Sequence, residues 1–210
     1  METPAGMPLE AWLTIAMVFV GGAISPGPSL ALVLRNTTRG GQLDGVMTGL
    51  GHGIGVGLYA LAAVAGAAAV FTRYPRAQVG VELLGALFLA YLGVQAWRAR
   101  PQAESPADVP ETRGGQGFIE GFLFAFLNPK IAVFFLALLT PFLPPSAPLS
   151  DRLGVATVAL VIDAGWYVLV ALVLSAGDML SRIQAHSQRI DRAMGAVLIG
   201  LALWMVSRAL

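Results

Sequence analysis

Long apolar stretches, nearly free of charge, alternate along this chain with short polar joints. Six stand out: Ala11–Leu34, Val46–Thr72, Val79–Trp97, Phe118–Phe142, Leu153–Gly177 and Ala193–Ser207. A helix rises about 1.5 Å per residue and the hydrocarbon layer is about 30 Å thick, so each stretch is read as a transmembrane helix. The sixth is the shortest. Arg192 and Arg208 at its ends can snorkel, and local thinning of the bilayer covers the rest. The fold expected is an all-α integral membrane protein.

The stretches fall into two sets of three. Residues 101–117 form the one polar linker, rich in Pro, Gly and acidic side chains, between residues 1–100 and 118–210. Three spans are an odd number, so the two halves enter the membrane with opposite orientation. Trp97 and Trp204 close the third stretch of each half, where interfacial Trp is expected. The pattern predicts six transmembrane helices arranged as two inverted three-helix repeats within one membrane domain.

The first and fourth stretches carry signals that do not belong in mid-membrane. Ser25-Pro26-Gly27-Pro28 and Asn128-Pro129-Lys130 both read as helix starts, with Ser or Asn as N-cap and Pro at the first helical position. Irregular backbone at that depth is tolerated only where protein buries it or a cavity solvates it. Both helices are therefore predicted to be broken around a binding site, offering free amides and a positive dipole end to an anionic group. In the second stretch, Gly45, Gly49, Gly53 and Gly57 recur every fourth residue and predict a face for close helix packing.

Composition narrows the class. Of 210 residues 56% are hydrophobic and 12% charged, the net charge is +1, and Cys is absent. A basic nucleic-acid surface is not indicated, and thiol redox chemistry and Cys-based metal sites are excluded. Residues 1–10 hold Glu2 and Glu10 but no Lys or Arg, so they lack the positive segment of a cleaved signal peptide and the first helix is expected to be retained. With both termini outside, the inner connections hold Arg35, Arg39, Arg98, Arg100, Arg113, Arg182, Arg189 and Arg192; the outer ones hold Arg73, Arg76, Arg152 and Arg208. The positive-inside rule favours that orientation.

Ionisable residues at membrane depth default to function, because a charge there costs about 2.5–3.5 kcal/mol on insertion scales. Lys130, the sole Lys, and Asp163 lie centrally in their stretches. They are expected to pair, either as a structural ion pair or as one site that exchanges mutual pairing for substrate or proton contact. Trp166 and Tyr167 follow Asp163 by three and four residues, so they share its helix face, for packing or for holding an ammonium by cation–π contact. His52 is either a proton carrier or a histidine bonded to a backbone carbonyl. Glu82 and Glu120 are expected in the first turns of their helices, where the dipole favours acids. Arg35 and Arg39 with Gly40-Gly41 are read as a short turn.

Taken together, Ser25-Pro26-Gly27-Pro28, Arg39-Gly40-Gly41, the Gly-rich second stretch, Gly121 through Leu127-Asn128-Pro129-Lys130 with its Phe-rich continuation, and Asp163 before Trp166-Tyr167 resemble the LysE/RhtB amino-acid exporter family over nearly the whole chain. Ser29 stands where members often carry Asn, and His52 maps onto no family role. The resemblance implies a non-enzymatic exporter of amino acids or close derivatives in the bacterial inner membrane, working as a proton antiporter by alternating access. The site set is then Ser25, Pro26, Gly27, Pro28, Ser29, Asn128, Pro129, Lys130, Asp163, Trp166 and Tyr167 for substrate, with Asp163 and His52 for protons. No cofactor and no metal is expected, and a homo-oligomer stays open. Rival readings are an exporter of another small solute or a metal cation, a passive channel, a membrane enzyme, or a non-transport assembly partner. Against the enzyme stand the lack of a nucleophile–base cluster, of His-rich metal spacing and of a Gly-rich phosphate loop.

Overall fold

The computed structural model describes residues 6–25, 27–98, 116–139, 142–143, 146–174 and 179–209, without the side chains of 67–72, 75–78, 129–130, 132, 174, 179–185, 187 and 209. Pro26, most of the 101–117 linker and the side chains of Pro129 and Lys130 thus lie outside the described residues. Eight helices follow in order: α1 (Leu9–Ile24), α2 (Pro28–Gly40), α3 (Gln42–Arg73), α4 (Pro75–Arg98), α5 (Gly117–Phe126), α6 (Pro129–Leu139), α7 (Leu149–Leu174) and α8 (Met179–Ala209). No strand occurs among the described residues.

Membrane-length apolar windows lie in α3, α4, α7 and α8, and α1 with α2 passes the same test as one span bent by 55°. The protein is a multi-pass, all-helical membrane protein. α5 and α6, of 10 and 11 residues, are each too short to cross alone. Three helices, α2, α4 and α6, begin on proline, whose absent N–H is one that the first turn would leave unpaired. The joint between α2 and α3 is Gly41 alone, at φ 87°, a conformation a side chain would strain.

Helix ends depart from the hydropathy boundaries. α8 begins at Met179 and runs for 31 residues, with an apolar window over Gln188–Arg208. The sixth helix is therefore not short, and no thinning of the bilayer is needed. Hydropathy marks the lipid, whereas a helix continues wherever its backbone bonds can form. α2 likewise continues to Gly40, so Arg35 lies inside a helix and is buried, where a turn was predicted. α4 starts at Pro75, which carries Glu82 past the first turn.

α3 is the axial helix, packed between α7 on one side and α5 on the other. Its glycine stripe makes the contact with α7: a Cβ on Gly49 would meet the Tyr167 backbone at 3.0 Å, and one on Gly53 the Ala164 Cβ at 2.5 Å. Gly51 and Gly121 do the same between α3 and α5, against the carbonyls of Phe118 and Thr48. The packing role expected of the stripe is realised. α4 pairs with α8, where Gly93 and Gly195 face each other's backbones. Exposed apolar residues at helical spacing, such as Leu84, Leu87, Tyr91 and Val94 on α4, make the lipid-facing surface.

The stripe supports a stability prediction. Gly53→Val must displace the α7 backbone, since Ala164 N lies 2.8 Å from the added Cβ. Overpacking of this kind costs about 1–3 kcal/mol and exceeds the ~1 kcal/mol that leaving glycine returns to a helix. Thermal unfolding in detergent is expected to fall for Gly53→Val but not for Gly22→Ala, whose Cβ meets nothing within 4 Å.

Candidate functional site

The first break is built from residues that cannot continue a helix. Ser25 ends α1, its amide still bonded to Gly21 O at 3.0 Å. Gly27 is extended at φ −169°, ψ −175°, and α2 starts on Pro28. The helix therefore restarts two residues later than the predicted cap at Ser25, because a residue preceding proline is driven out of the α region. Gly27 has no side chain with which to cap α2, and Ser29 sits in the uncapped first turn. At the second break α5 ends at Phe126, and Asn128 O accepts from Ile131 N at 3.1 Å as α6 opens on Pro129. Asn128 occupies the predicted position before the proline.

His52 lies between these breaks. It is 2% exposed on α3, with Nδ1 2.6 Å from Asp163 Oδ2 on α7 and Nε2 3.0 Å from Ser29 Oγ on α2. Tyr167, one turn from Asp163, stands edge-on to the imidazole at 5.0 Å, with its phenol oxygen in hydrogen-bonding reach of Ser29. Phe124, one turn before the second break, faces the imidazole from α5 at 6.4 Å. The expected Lys130–Asp163 pair lies outside the described residues because the Lys130 side chain does, while the expected carbonyl bond of His52 gives way here, since both ring nitrogens meet side chains. The small residues of α3 cause this, since Gly51 and Gly53 draw α5 and α7 in until the imidazole has no exit but Asp163 and Ser29. Trp166 packs against the neighbouring cluster of Leu30, Val33 and Val170, and its Nε1 is buried with no acceptor among the described residues.

Chemically the triplet can hold a proton with its bonding intact through a change of charge. A hydroxyl both donates and accepts. Ser29 can accept from a protonated Nε2 or donate to a bare one, while Nδ1–H stays on Asp163. Neutral and charged imidazole are both satisfied without movement of a helix.

A second polar cluster lies further along α2 and towards the start of α3. Arg35 pairs with Glu120 Oε2 of α5 at 2.5 Å, and Asn36 Nδ2 donates to Thr48 Oγ1 and to Glu120 Oε2, each at 2.9 Å. Asp44 Oδ1 accepts the Gly117 amide at 2.9 Å. Arg35, Asn36, Asp44 and Thr48 are all buried. Glu120 thus has a partner beyond the helix dipole. Near the first break, Ser25 Oγ donates to Asp191 Oδ1 of α8 at 2.7 Å.

Residues 20–208 match the sequence profile described as LysE type translocator. The chain belongs to the LysE type translocator family. The threonine efflux protein of Escherichia coli (strain K12) is 25% identical over 202 residues, 94% of this chain and 98% of that protein. The threonine efflux protein of Salmonella typhi is 23% identical with the same coverage, 94% and 98%. The uncharacterized membrane protein YrhP of Bacillus subtilis is 23% identical over 205 residues, 93% of this chain and 96% of that one. No solved structure matches the chain.

As a LysE type translocator the protein is a membrane transporter and not an enzyme. The triplet and the Arg35 cluster follow a rule that the translocator's sequence carries but single-residue reading passes over. Asp44, Thr48 and His52 are spaced by four along α3, Asp163 and Tyr167 by four along α7, and Ser29 and Asn36 by seven along α2. Each set shares one helix face. That periodicity of polar residues was the available signal for Asn36, Asp44 and Thr48; Arg35 and Glu120 fall in none of these sets.

Proposed function

We propose that this LysE type translocator exports amino acids or close derivatives from the bacterial cytoplasm, in exchange for protons, by alternating access. The observation that carries the reading is the His52–Asp163 contact at 2.6 Å, joined through Ser29 to the start of a broken helix. One carboxylate can hold either a proton shared with His52 or the ammonium of a substrate, and that competition is what antiport requires. Substrate entering from the cytoplasm displaces the proton. A proton arriving from outside then returns the carboxylate to His52, and the substrate leaves. Its carboxylate is received by the amides that open α2 and α6, around Pro26, Gly27, Pro28, Ser29, Asn128, Pro129 and Lys130, with Trp166 Nε1 as a further donor. The relatives called threonine efflux proteins supply the substrate class. One charge moved across 100 mV is worth about 2.3 kcal/mol, roughly a fifty-fold concentration ratio, so one proton per cycle is enough for modest export.

The same reading takes residues 1–100 and 118–210 as inverted repeats joined by 101–117, with α1–α2 and α5–α6 as the broken spans, giving six crossings. It is supported by the packing of α3 on α7 and of α4 on α8, the pairs that a two-fold exchange of the halves maps onto themselves. The membrane is the inner membrane, with both termini outside. Reporter fusions at Leu210 are expected to be active outside the cytoplasm.

The function is tested by challenging cells that express the chain with a panel of toxic amino acids and analogues. Growth is expected at several-fold higher concentrations of at least one of them. Absence of rescue across the panel, with the protein present in the membrane, overturns the reading.

A further inference from the structure

A cavity of about 850 Å³ opens at the bundle end opposite the Arg35 cluster, and it excludes Ser29, His52 and Asp163. It descends between two helices. Glu10, Thr14 and Val18 line it on successive turns of α1, and Arg208, Trp204 and Leu201 line it on the last turns of α8. At about 1.5 Å per residue, the eight residues from Glu10 to Val18 make it roughly 12 Å deep. Glu82 of α4 completes the charged lining. The Arg208 guanidinium lies over the Trp204 ring at 5.0 Å, and Trp204 is itself stacked on Phe142 at 5.3 Å. Below Val18, two turns further down α1, Ser25 is bonded to Asp191 of α8. The cavity thus leads along α1 towards the first helix break.

Its chemistry matches both ends of a zwitterion. Held by its face on an aromatic ring, a guanidinium keeps its edge N–H groups for a carboxylate, the planar match that arginine makes best. Glu10 and Glu82 supply acceptors for an ammonium. The deeper wall of Val18, Leu201 and Met205 is apolar and receives an uncharged side chain.

We propose that this cavity is a second binding site for zwitterionic amino acids, distinct from the His52–Asp163 centre. The proposal rests on the export reading, in which this end faces outward, and makes the cavity the last station before release. Arg208 binds the α-carboxylate, Glu10 and Glu82 the α-ammonium.

The test is equilibrium binding of radiolabelled leucine to the full chain in nanodiscs. Asp163→Asn, which disables the central site, is expected to retain one leucine site. Adding Arg208→Gln, or Glu10→Gln with Glu82→Gln, is expected to weaken that binding at least tenfold. Thr14→Trp fills the cavity without touching a charge and is expected to do the same. Leucine binding to Asp163→Asn that is unchanged by all three additions overturns the second site and leaves export standing. Loss of all leucine binding on Asp163→Asn, with wild type still binding, also overturns it. If wild type binds no amino acid, the second site and the export reading fall together.

Discussion

Asp163→Asn is expected to slow proton-driven amino-acid uptake into proteoliposomes at least about a hundredfold, roughly 2.8 kcal/mol at 1.4 kcal/mol per tenfold. The amide keeps the shape of the side chain and an oxygen that accepts from His52 Nδ1–H, so the 2.6 Å contact between α3 and α7 need not open. What disappears is the negative charge for which proton and ammonium compete. Loss of a charged partner at a buried site removes about 1.5–3 kcal/mol of hydrogen bonding alone, which makes the hundredfold figure a moderate expectation. The measurement is the initial rate after an imposed pH jump, with thermal unfolding as the control for folding. A variant that responds to the pH jump as wild type does removes Asp163 from the coupling.

Glu120→Leu is expected to destabilise the protein by about 3–5 kcal/mol, and Arg35→Leu with Glu120→Leu by much less. Arg35 is 3% exposed and its guanidinium is bonded to Glu120 and Asn36, so removing the carboxylate takes a charged partner from a buried cation. Removing both takes the cation away together with its carboxylate, and Asn36 keeps its bond to Thr48. Thermal unfolding of the three proteins in detergent decides the matter. A double variant that unfolds no later than the single would show that the pair's charge is not what the fold depends on. The contact also joins α2 to α5, which belong to different proposed halves, and under the proposed alternating access it tunes how those halves move against each other. The double variant is therefore expected to keep its stability while its export slows.

Several parts of this arrangement were legible in the chain itself. Proline after Gly27 and after Asn128 dictated helix starts within apolar sequence, because the constraint acts on the residue and its immediate neighbour. Glycine at every fourth position marked the face of α3 that α7 approaches, because the space a missing Cβ leaves does not depend on which helix fills it. Asp163 was conspicuous as an ionisable group central in its stretch, and His52 as one flanked by the glycine face of the second stretch. Arg35 was not, since it lies near a predicted turn and hydropathy cannot tell a helix that continues under the membrane surface from one that stops.

Partner choice was beyond reach. Asp163 and His52 are 111 residues apart, and Arg35 and Glu120 are 85 apart. Whether Asp163 meets His52 depends on how far each helix is rotated about its axis and how closely it packs, and both are set by side chains of other helices. The amino-acid order alone determined that the chain is a multi-pass helical membrane protein, which prolines open new helices and which faces can close tightly, all of which follow from bonds and volumes local to a few residues. Only the tertiary packing decided which charges neutralise one another, because in a bundle a shift of one residue turns a helix by about 100° and hands each polar group a different neighbour.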